Sequence, residues 1–133
     1  MKGFNDNIET LTVDNGDFRR VLYTGKHLQL VLMTLQPGEE IGSEVHDDRD
    51  QFFRFEEGQG AVDIDGRENL VMDDFAVIVP AGARHNVRNT GDQPLRFYTL
   101  YGPPEHKDKV VQRTKQEAEA RHHAEEWDVA TTE

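Results

Sequence analysis

Histidine, glutamine and acidic residues in two short segments have the side-chain types that bind metal ions. Side chains alternate along a strand, so Glu44, His46 and Asp48 would share one face. A site forms if that face also meets Gln51 and His85, which a hairpin and a closing barrel allow. Imidazole with carboxylate or amide oxygen suits Mn, Fe, Ni, Co or Zn better than Cu(I), and does not decide among them. These residues predict one divalent metal ion whose identity stays open.

The elements that must position these residues are short strands. From Phe18 to Tyr101, apolar or alternating runs are separated by Gly- or Pro-containing breaks at intervals of roughly ten residues, which is typical of an all-β sandwich or barrel. Asp65-Gly66 is the best hairpin candidate, because Asp-Gly tolerates the positive φ angles of a type I′ turn. The predicted strands are Arg19–Tyr23, His27–Leu35, Gln51–Glu56, Gly60–Ile64, Phe75–Val79, His85–Asn89 and Leu95–Tyr101.

The two ends of the chain differ from this central part. The first residues are polar and are interpreted as an added strand or a loose arm. Near the other end, Thr114 and Glu117 have the spacing of a helix capping box, and a partly exposed helix is expected from Lys115 to about Trp127. The predicted organisation is an N-terminal arm over 1–17, a barrel over 18–102 and a helical tail over 103–133.

Composition limits the classes of function. The 133 residues suffice for one domain, and the formal net charge of −11 repels polyanions at long range, so neither nucleic acid nor an anionic membrane is expected as a partner. The absence of cysteine removes disulfides, thiolate ligands and a cysteine nucleophile. No apolar run approaches the roughly 20 residues of a membrane span, and the N-terminus has no apolar signal region. A cytoplasmic protein is therefore expected.

The two segments resemble the paired signatures of the cupin superfamily, G-x(5)-H-x-H-x(3,4)-E-x(6)-G followed by G-x(5)-P-x-G-x-x-H-x-x-x-N. In the second signature Pro80, Gly82, His85 and Asn89 stand at the family's spacing. The resemblance covers approximately residues 28–101. It implies an all-β fold, a single cupin double-stranded β-helix or jelly-roll barrel, here with a short C-terminal helix.

The first cupin signature matches in part. His46 takes the first histidine position, whereas Asp48 stands at the second histidine and Gln51 at the glutamate. The resemblance thus implies a metal on His46, Gln51, His85 and one carboxylate. Glu44 is favoured as that carboxylate, because the acidic stretch around Asp48 is typical of a turn. Asp48 remains the alternative. A related cupin family that opens unsaturated uronate sugars uses glutamine at this position, so the change need not abolish metal binding.

The resemblance leaves the function open, because cupins include dioxygenases, decarboxylases, sugar isomerases and non-catalytic binding domains. The leading hypothesis is a small metalloenzyme that polarises a carbonyl or enolate of a sugar acid, enol or diketone. Glu44, Asp48 or a metal-bound water would move the proton. A dioxygenase is a specific version, since two histidines and one carboxylate form the facial triad of non-haem Fe(II) enzymes. The alternatives are a non-enzymatic sensor or small-molecule-binding cupin, and a scaffold that has lost its site.

Two kinds of partner are expected from the same resemblance. One is a small-molecule ligand or substrate in the barrel mouth. The other is a second copy of the chain, because small cupin barrels often dimerise through edge strands, and the N-terminal arm could supply such a strand. The sequence therefore predicts a homodimer.

Overall fold

The computed structural model describes residues 1–133, and most of its regular structure is strand, as predicted. Neither helix is long and apolar enough to cross a membrane. The elements in chain order are α1 (Ile8–Asp14), β1 (Arg19–Thr24), β2 (Gln29–Leu35), β3 (Asp50–Glu57), β4 (Gly60–Ile64), β5 (Arg67–Val71), β6 (Ala76–Val79), β7 (His85–Asn89), β8 (Leu95–Gly102), β9 (Val111–Gln112) and α2 (Lys115–Ala120).

The strands form two antiparallel sheets around one core. One sheet has the order β6-β3-β8-β2-β1-β9 and the other has the order β5-β4-β7. Every second residue of β8 from Leu95 to Tyr101 is buried. Phe97 in β8 has its ring centroid 5.1 Å from that of Phe55 in β3, and apolar side chains of both sheets join the same cluster. The fold is the predicted double-stranded β-helix barrel with a short C-terminal helix.

The hairpin between β4 and β5 turns at Asp65-Gly66, as predicted. The φ angles of these residues are 47° and 82°, as a type I′ turn requires, and Ile64 pairs with Arg67 across the turn. The strand after the turn, β5, is missing from the predicted set, because residues 67–70 are largely exposed and do not alternate. Strand β9 is missing too, since a strand of two residues carries no periodicity.

The N-terminal segment contains a helix, where a strand or a loose arm is expected. Asn7 caps α1, because its side chain accepts a hydrogen bond from Thr10 N at 2.9 Å. The helix packs against β8, β3 and β2. Ile8, Leu11 and Thr12 are partly or fully buried at the i, i+3, i+4 spacing of one helix face. This face is too short to stand out in a polar sequence.

Helix α2 begins at the predicted capping box but is shorter than expected. Thr114 Oγ1 accepts a hydrogen bond from Glu117 N at 3.1 Å, which confirms the cap. The expected continuation to Trp127 is wrong, because the helix ends at Ala120. Trp127 N instead donates to Glu105 O at 3.0 Å. That bridge to the segment after β8 requires extended backbone, which a continued helix cannot supply.

Candidate functional site

Backbone pairing brings the two motif segments together. Glu44 and His85 form an antiparallel bridge in which the N–H of each donates to the carbonyl oxygen of the other at 2.9 Å. Gly82 N donates to His46 O at 2.9 Å. The segment that carries Glu44 and His46 thus lies along β7, although it is not itself a regular strand. Its two candidate ligands are held beside His85 by main-chain hydrogen bonds.

Gln51 lies on β3 and has an unpartnered oxygen inside the barrel. The residue is 3% exposed, and its Nε2 donates to Thr99 Oγ1 at 2.9 Å. The Thr99 hydroxyl donates its own hydrogen to Phe52 O at 2.8 Å, so it must accept from Gln51, and this fixes the orientation of the amide. Gln51 Oε1 is consequently a buried acceptor with no hydrogen-bond partner. Such an atom costs about 1–3 kcal/mol unless a ligand satisfies it.

His85 on β7 has one nitrogen available as a ligand. The residue is buried, and its Nδ1 lies 3.0 Å from Ala83 O. A carbonyl oxygen only accepts, so Nδ1 carries the proton and Nε2 carries the lone pair. A backbone carbonyl on the distal nitrogen is the usual way in which a protein orients a metal-binding imidazole.

Three of the four predicted ligands line one small cavity. Glu44, Gln51 and His85 share it with Tyr101, and its volume of about 10 Å³ is that of one water molecule or ion. His46 lies beyond this cavity, with its ring centroid 5.4 Å from that of His85. It lines an open cleft of about 600 Å³, which Glu44 also borders. The ligand atoms of Glu44, His46 and His85 do not all lie within 4.8 Å of one another, so sharing an ion requires a side chain to rotate.

His46 lies between two carboxylates. Its Nε2 is 3.2 Å from Glu44 Oε2, and its Nδ1 is 3.4 Å from Glu105 Oε2. Burial alone would lower the pKa of His46, but the two carboxylates outweigh it and the pKa is raised. Burial alone would raise the pKa of Glu44, but His46 outweighs it and the pKa is lowered. Glu44 is therefore an anion at neutral pH, next to a ring whose two nitrogens each face a carboxylate.

Glu105 is a site residue that the sequence analysis missed. It lies in the segment after β8, 3.1 Å from Arg49 Nε. The fully buried Gln29 positions this segment, because its Oε1 accepts from Glu105 N at 3.1 Å and from His106 N at 3.0 Å, and its Nε2 donates to His106 O at 2.7 Å. A glutamine in the apolar run of β2 signals a buried hydrogen-bond partner. It does not say which segment provides that partner.

Tyr101 forms a neutral part of the cavity wall. Burial raises the pKa of Tyr101 far above its usual range, so the hydroxyl stays protonated. It lies 3.3 Å from His106 Nε2, and burial lowers the pKa of His106 well below its ordinary value. Both groups are uncharged at neutral pH. Within the wall of the small cavity, the anion is supplied by Glu44.

The other candidates lie outside the cavity. The Asp48 side chain is 71% exposed and pairs with Arg49, so Glu44 is the carboxylate that the fold brings to His85. His122, His123 and Glu126 do have ligand atoms within 4.8 Å of one another. Their side chains are 62%, 93% and 55% exposed, so this trio faces solvent.

The comparisons with known proteins identify the family. The family profile described as "Cupin domain" matches residues 31–101. The chain is a member of the cupin family. It is 46% identical over 125 residues to the uncharacterized protein YrkC of Bacillus subtilis, covering 90% of this chain and 67% of that protein. The chain thus spans about two thirds of that relative's length.

Two solved structures share the cupin fold. The crystal structure of BH2720 from Bacillus halodurans is 48% identical, with a TM-score of 0.87 over 90% of this chain and 95% of that one. A predicted oxalate decarboxylase from Thermotoga maritima is 22% identical, with a TM-score of 0.56 over 59% of this chain and 68% of that one. The second likeness shows the fold alone.

The candidate ligand atoms of this cupin are of the chemical types that bind a divalent ion. Gln51 supplies an unpartnered carbonyl oxygen, His85 a lone pair on Nε2, and Glu44 a negative charge. His46 adds a second imidazole only if its ring leaves one of its two carboxylate contacts and loses a proton. Nitrogen and oxygen ligands of this kind are those preferred by Mn, Fe, Co, Ni and Zn.

Proposed function

We propose that this cupin holds one divalent metal ion on Glu44, His46, Gln51 and His85 and is a small metalloenzyme. The observation that carries the proposal is the unpartnered Oε1 of Gln51. Thr99 Oγ1 accepts a hydrogen bond from the Nε2 of Gln51, and this contact orients the amide. A cation that binds this oxygen and Nε2 of His85 would give both atoms a partner.

The substrate in this proposal is a small molecule with a carbonyl or enol oxygen, such as a sugar acid or a diketone. A divalent ion supplies Lewis acidity, which stabilises negative charge on such an oxygen. The cleft of about 600 Å³ beside Glu44 and His46 has the size of a small-molecule site.

Glu44 is the residue proposed to move the proton. Its side chain is 34% exposed and borders both the small cavity and the cleft. Glu44 is ionised at neutral pH and reaches the cleft, so it can accept a proton from a molecule bound there and pass it to solvent. His46, in contact with Glu44, orients the carboxylate. This arrangement suits proton transfer, as in an isomerase or lyase.

Metal analysis of untagged protein tests the metal site. We expect close to one divalent ion per chain in the wild type, and affinity lowered by about 10- to 100-fold or more in Gln51→Ala and His85→Ala. Asp48→Asn is the control for the alternative carboxylate and should retain the ion. The double variant His122→Ala with His123→Ala controls for the exposed trio. A wild type that takes up no ion after reconstitution, or an ion lost only in the tail variant, contradicts the proposal.

Turnover without oxygen tests the reaction class. The metal-loaded protein should convert a sugar acid, enol or diketone under anaerobic conditions with several divalent ions, and Glu44→Gln should lower kcat by about 10²- to 10⁴-fold. Oxygen uptake that depends on Fe(II) would identify a dioxygenase instead. Tight binding of a metabolite with no conversion would identify a binding or sensor cupin.

A further inference from the structure

Arg19 is a buried cation that makes no ion pair within the protein, although its charge helps to lower the pKa of Glu44. It stands on β1 opposite Gln112 of β9, in alternation with the buried Val21, and is 8% exposed. Its guanidinium donates from NH1 to Gln112 Oε1 at 2.7 Å and lies 5.2 Å from the ring centroid of Phe18. No carboxylate of the chain lies within the 4.0 Å of an ion pair with it.

The Nε of Arg19 is also an unpartnered buried donor. Four buried side-chain atoms of the protein lack a hydrogen bond: Arg19 Nε, Gln51 Oε1, Arg54 Nε and Glu105 Oε2. The atoms of Arg54 and Glu105 each have an oppositely charged group at 3.1 Å. Arg19 and Gln51 have none. A buried charge without a counterion costs several kcal/mol, so a partner from outside the chain is the simplest reason to keep it.

Arg19 lines the same cleft as Glu44 and His46. The cleft therefore has a buried cation in its wall and the candidate metal ligands beside it. Lys115, on α2, adds a second cation to the lining. Three carboxylates, those of Glu44, Glu105 and Glu119, line the same cleft, so Arg19 and Lys115 are local positive centres within an acidic protein of net charge −11.

We infer that Arg19 binds a carboxylate group of the substrate. The planar guanidinium, with Nε and one NH group adjacent, matches the two oxygens of a carboxylate. The Glu44 and Glu105 side chains on the same cleft disfavour the higher charge of phosphate. The substrate class is then a small organic carboxylate with a second oxygen that reaches Glu44 and His46. The assignment of this second oxygen rests on the proposed function. The contact between Arg19 and the carboxylate does not.

The contact can be observed directly in the wild type by NMR. The ¹H–¹⁵N signal of Arg19 Nε is followed during titration with pyruvate, malonate, glycolate and malate, and with methyl pyruvate as the uncharged control. Protein is used as purified and after treatment with a chelator, so that binding at a metal is separated from binding at Arg19. We expect at least one carboxylate to shift this signal in both preparations and methyl pyruvate to leave it unchanged.

Variants then test the dependence on Arg19. Binding of the carboxylate should weaken by about 10- to 100-fold in Arg19→Gln, and Arg19→Lys should bind it with intermediate affinity because it keeps the charge without the fork. Arg20→Gln is the matched control, since Arg20 is the exposed neighbour on the same strand and pairs with Asp17. Metal content should be unchanged in all three variants.

The outcomes separate this inference from the proposed function. No shift of the Arg19 signal with any carboxylate, or equal affinity in Arg19→Gln, overturns the inference. Equal, Arg19-dependent binding of inorganic phosphate overturns the carboxylate assignment. Arg19-dependent binding in a protein that takes up no metal supports the inference while the metalloenzyme proposal fails.

Discussion

At the scale of single residues, two unpartnered atoms indicate which ligand groups the cleft and the small cavity would bind. Gln51 Oε1 is an acceptor and Arg19 Nε is a donor, and both are buried. The acceptor is complementary to a cation and the donor to an anion. A molecule that chelates a metal through one oxygen and carries a carboxylate satisfies both, which is why the two proposals converge on one ligand class.

Gln29 gives a prediction at this scale. Its side chain bonds the backbone of Glu105 and His106 from a fully buried position. Gln29→Leu leaves these groups without partners, so we expect the free energy of unfolding in urea to fall by about 3 kcal/mol. Gln116→Leu, at an exposed position of α2, is the control and should change it by less than about 0.5 kcal/mol. Equal effects of the two substitutions would contradict this positioning role.

The sequence predicted the candidate metal ligands but not the charged residues that surround them. The spacing around His85 and the position of Gln51 were sufficient to nominate both residues, because a family motif marks them. Arg19 had a weaker signal, an arginine on the inward side of a strand beside Val21. Glu105 had none, since it is contributed by an irregular segment about 60 residues from His46 in the sequence, and long-range contacts of loops leave no periodic pattern.

At the scale of elements, the sequence predicted the hairpin turn better than the two helices near the ends of the chain. Asp65-Gly66 was found because turn chemistry is local. Helix α1 was not, because its stability comes from packing against β8, β3 and β2 rather than from its own propensity. The end of α2 was misplaced for the same reason, as a backbone bridge to Glu105 competes with the helix.

The turn between β3 and β4 gives a second prediction. Gly58 has a φ of +104°, and a Cβ there would lie 2.6 Å from Pro94 O. Gly38 has a φ of +82° but nothing within 4 Å of its Cβ position. Gly38→Ala should therefore cost about 1 kcal/mol for the φ angle alone, and Gly58→Ala about 3 kcal/mol or more. Thermal unfolding of both variants measures the two losses of stability. Equal losses would contradict the prediction, because they would mean that the backbone moves to relieve the contact with Pro94.

At the scale of the whole molecule, Glu133 connects the two ends of the chain. Its carboxylate accepts hydrogen bonds from Tyr23 OH at 2.6 Å, Lys2 N at 2.9 Å and Gly3 N at 2.7 Å. These bonds, the one from Tyr23 first, lower the pKa of Glu133 from its ordinary 4.5.

A pH dependence follows from this lowered pKa. Above 4.5 the carboxylate is ionised in both the folded and the unfolded chain, so its stabilisation is complete. The stabilisation is lost as the pH falls through the lower pKa of the folded state. The difference in unfolding free energy between wild type and Glu133→Gln should thus be larger at neutral pH than at about pH 3. Glu119→Gln, on the exposed side of α2, is the control, and a difference that does not shrink in acid would contradict the role of Glu133.

The outer face of the larger sheet carries a row of apolar residues. Ile78, Phe52, Leu100 and Leu30 pair in turn across β6, β3, β8 and β2, and Ile78 is 68% exposed. We propose that this apolar row is the contact of a homodimer, in place of the N-terminal strand expected from the sequence. Light scattering should give twice the chain mass for wild type and the single mass for Ile78→Glu. Val129→Glu, exposed elsewhere, should stay dimeric, and a monomeric wild type refutes the proposal.

The pairing of residues 39–46 with β7 also determines how the ligand segment moves. Ile41 N and Glu44 N donate to Val87 O and His85 O at 2.9 Å, so these amides are bonded as in a strand despite the irregular backbone. Their hydrogen exchange should be slow and should match that of β7, whereas Ser43 between them should exchange rapidly. Residues 39–46 then open only when the barrel itself opens. The backbone positions of Glu44 and His46 relative to His85 would then stay fixed for as long as the barrel is closed, and only the side chains would have to move when an ion enters from the cleft.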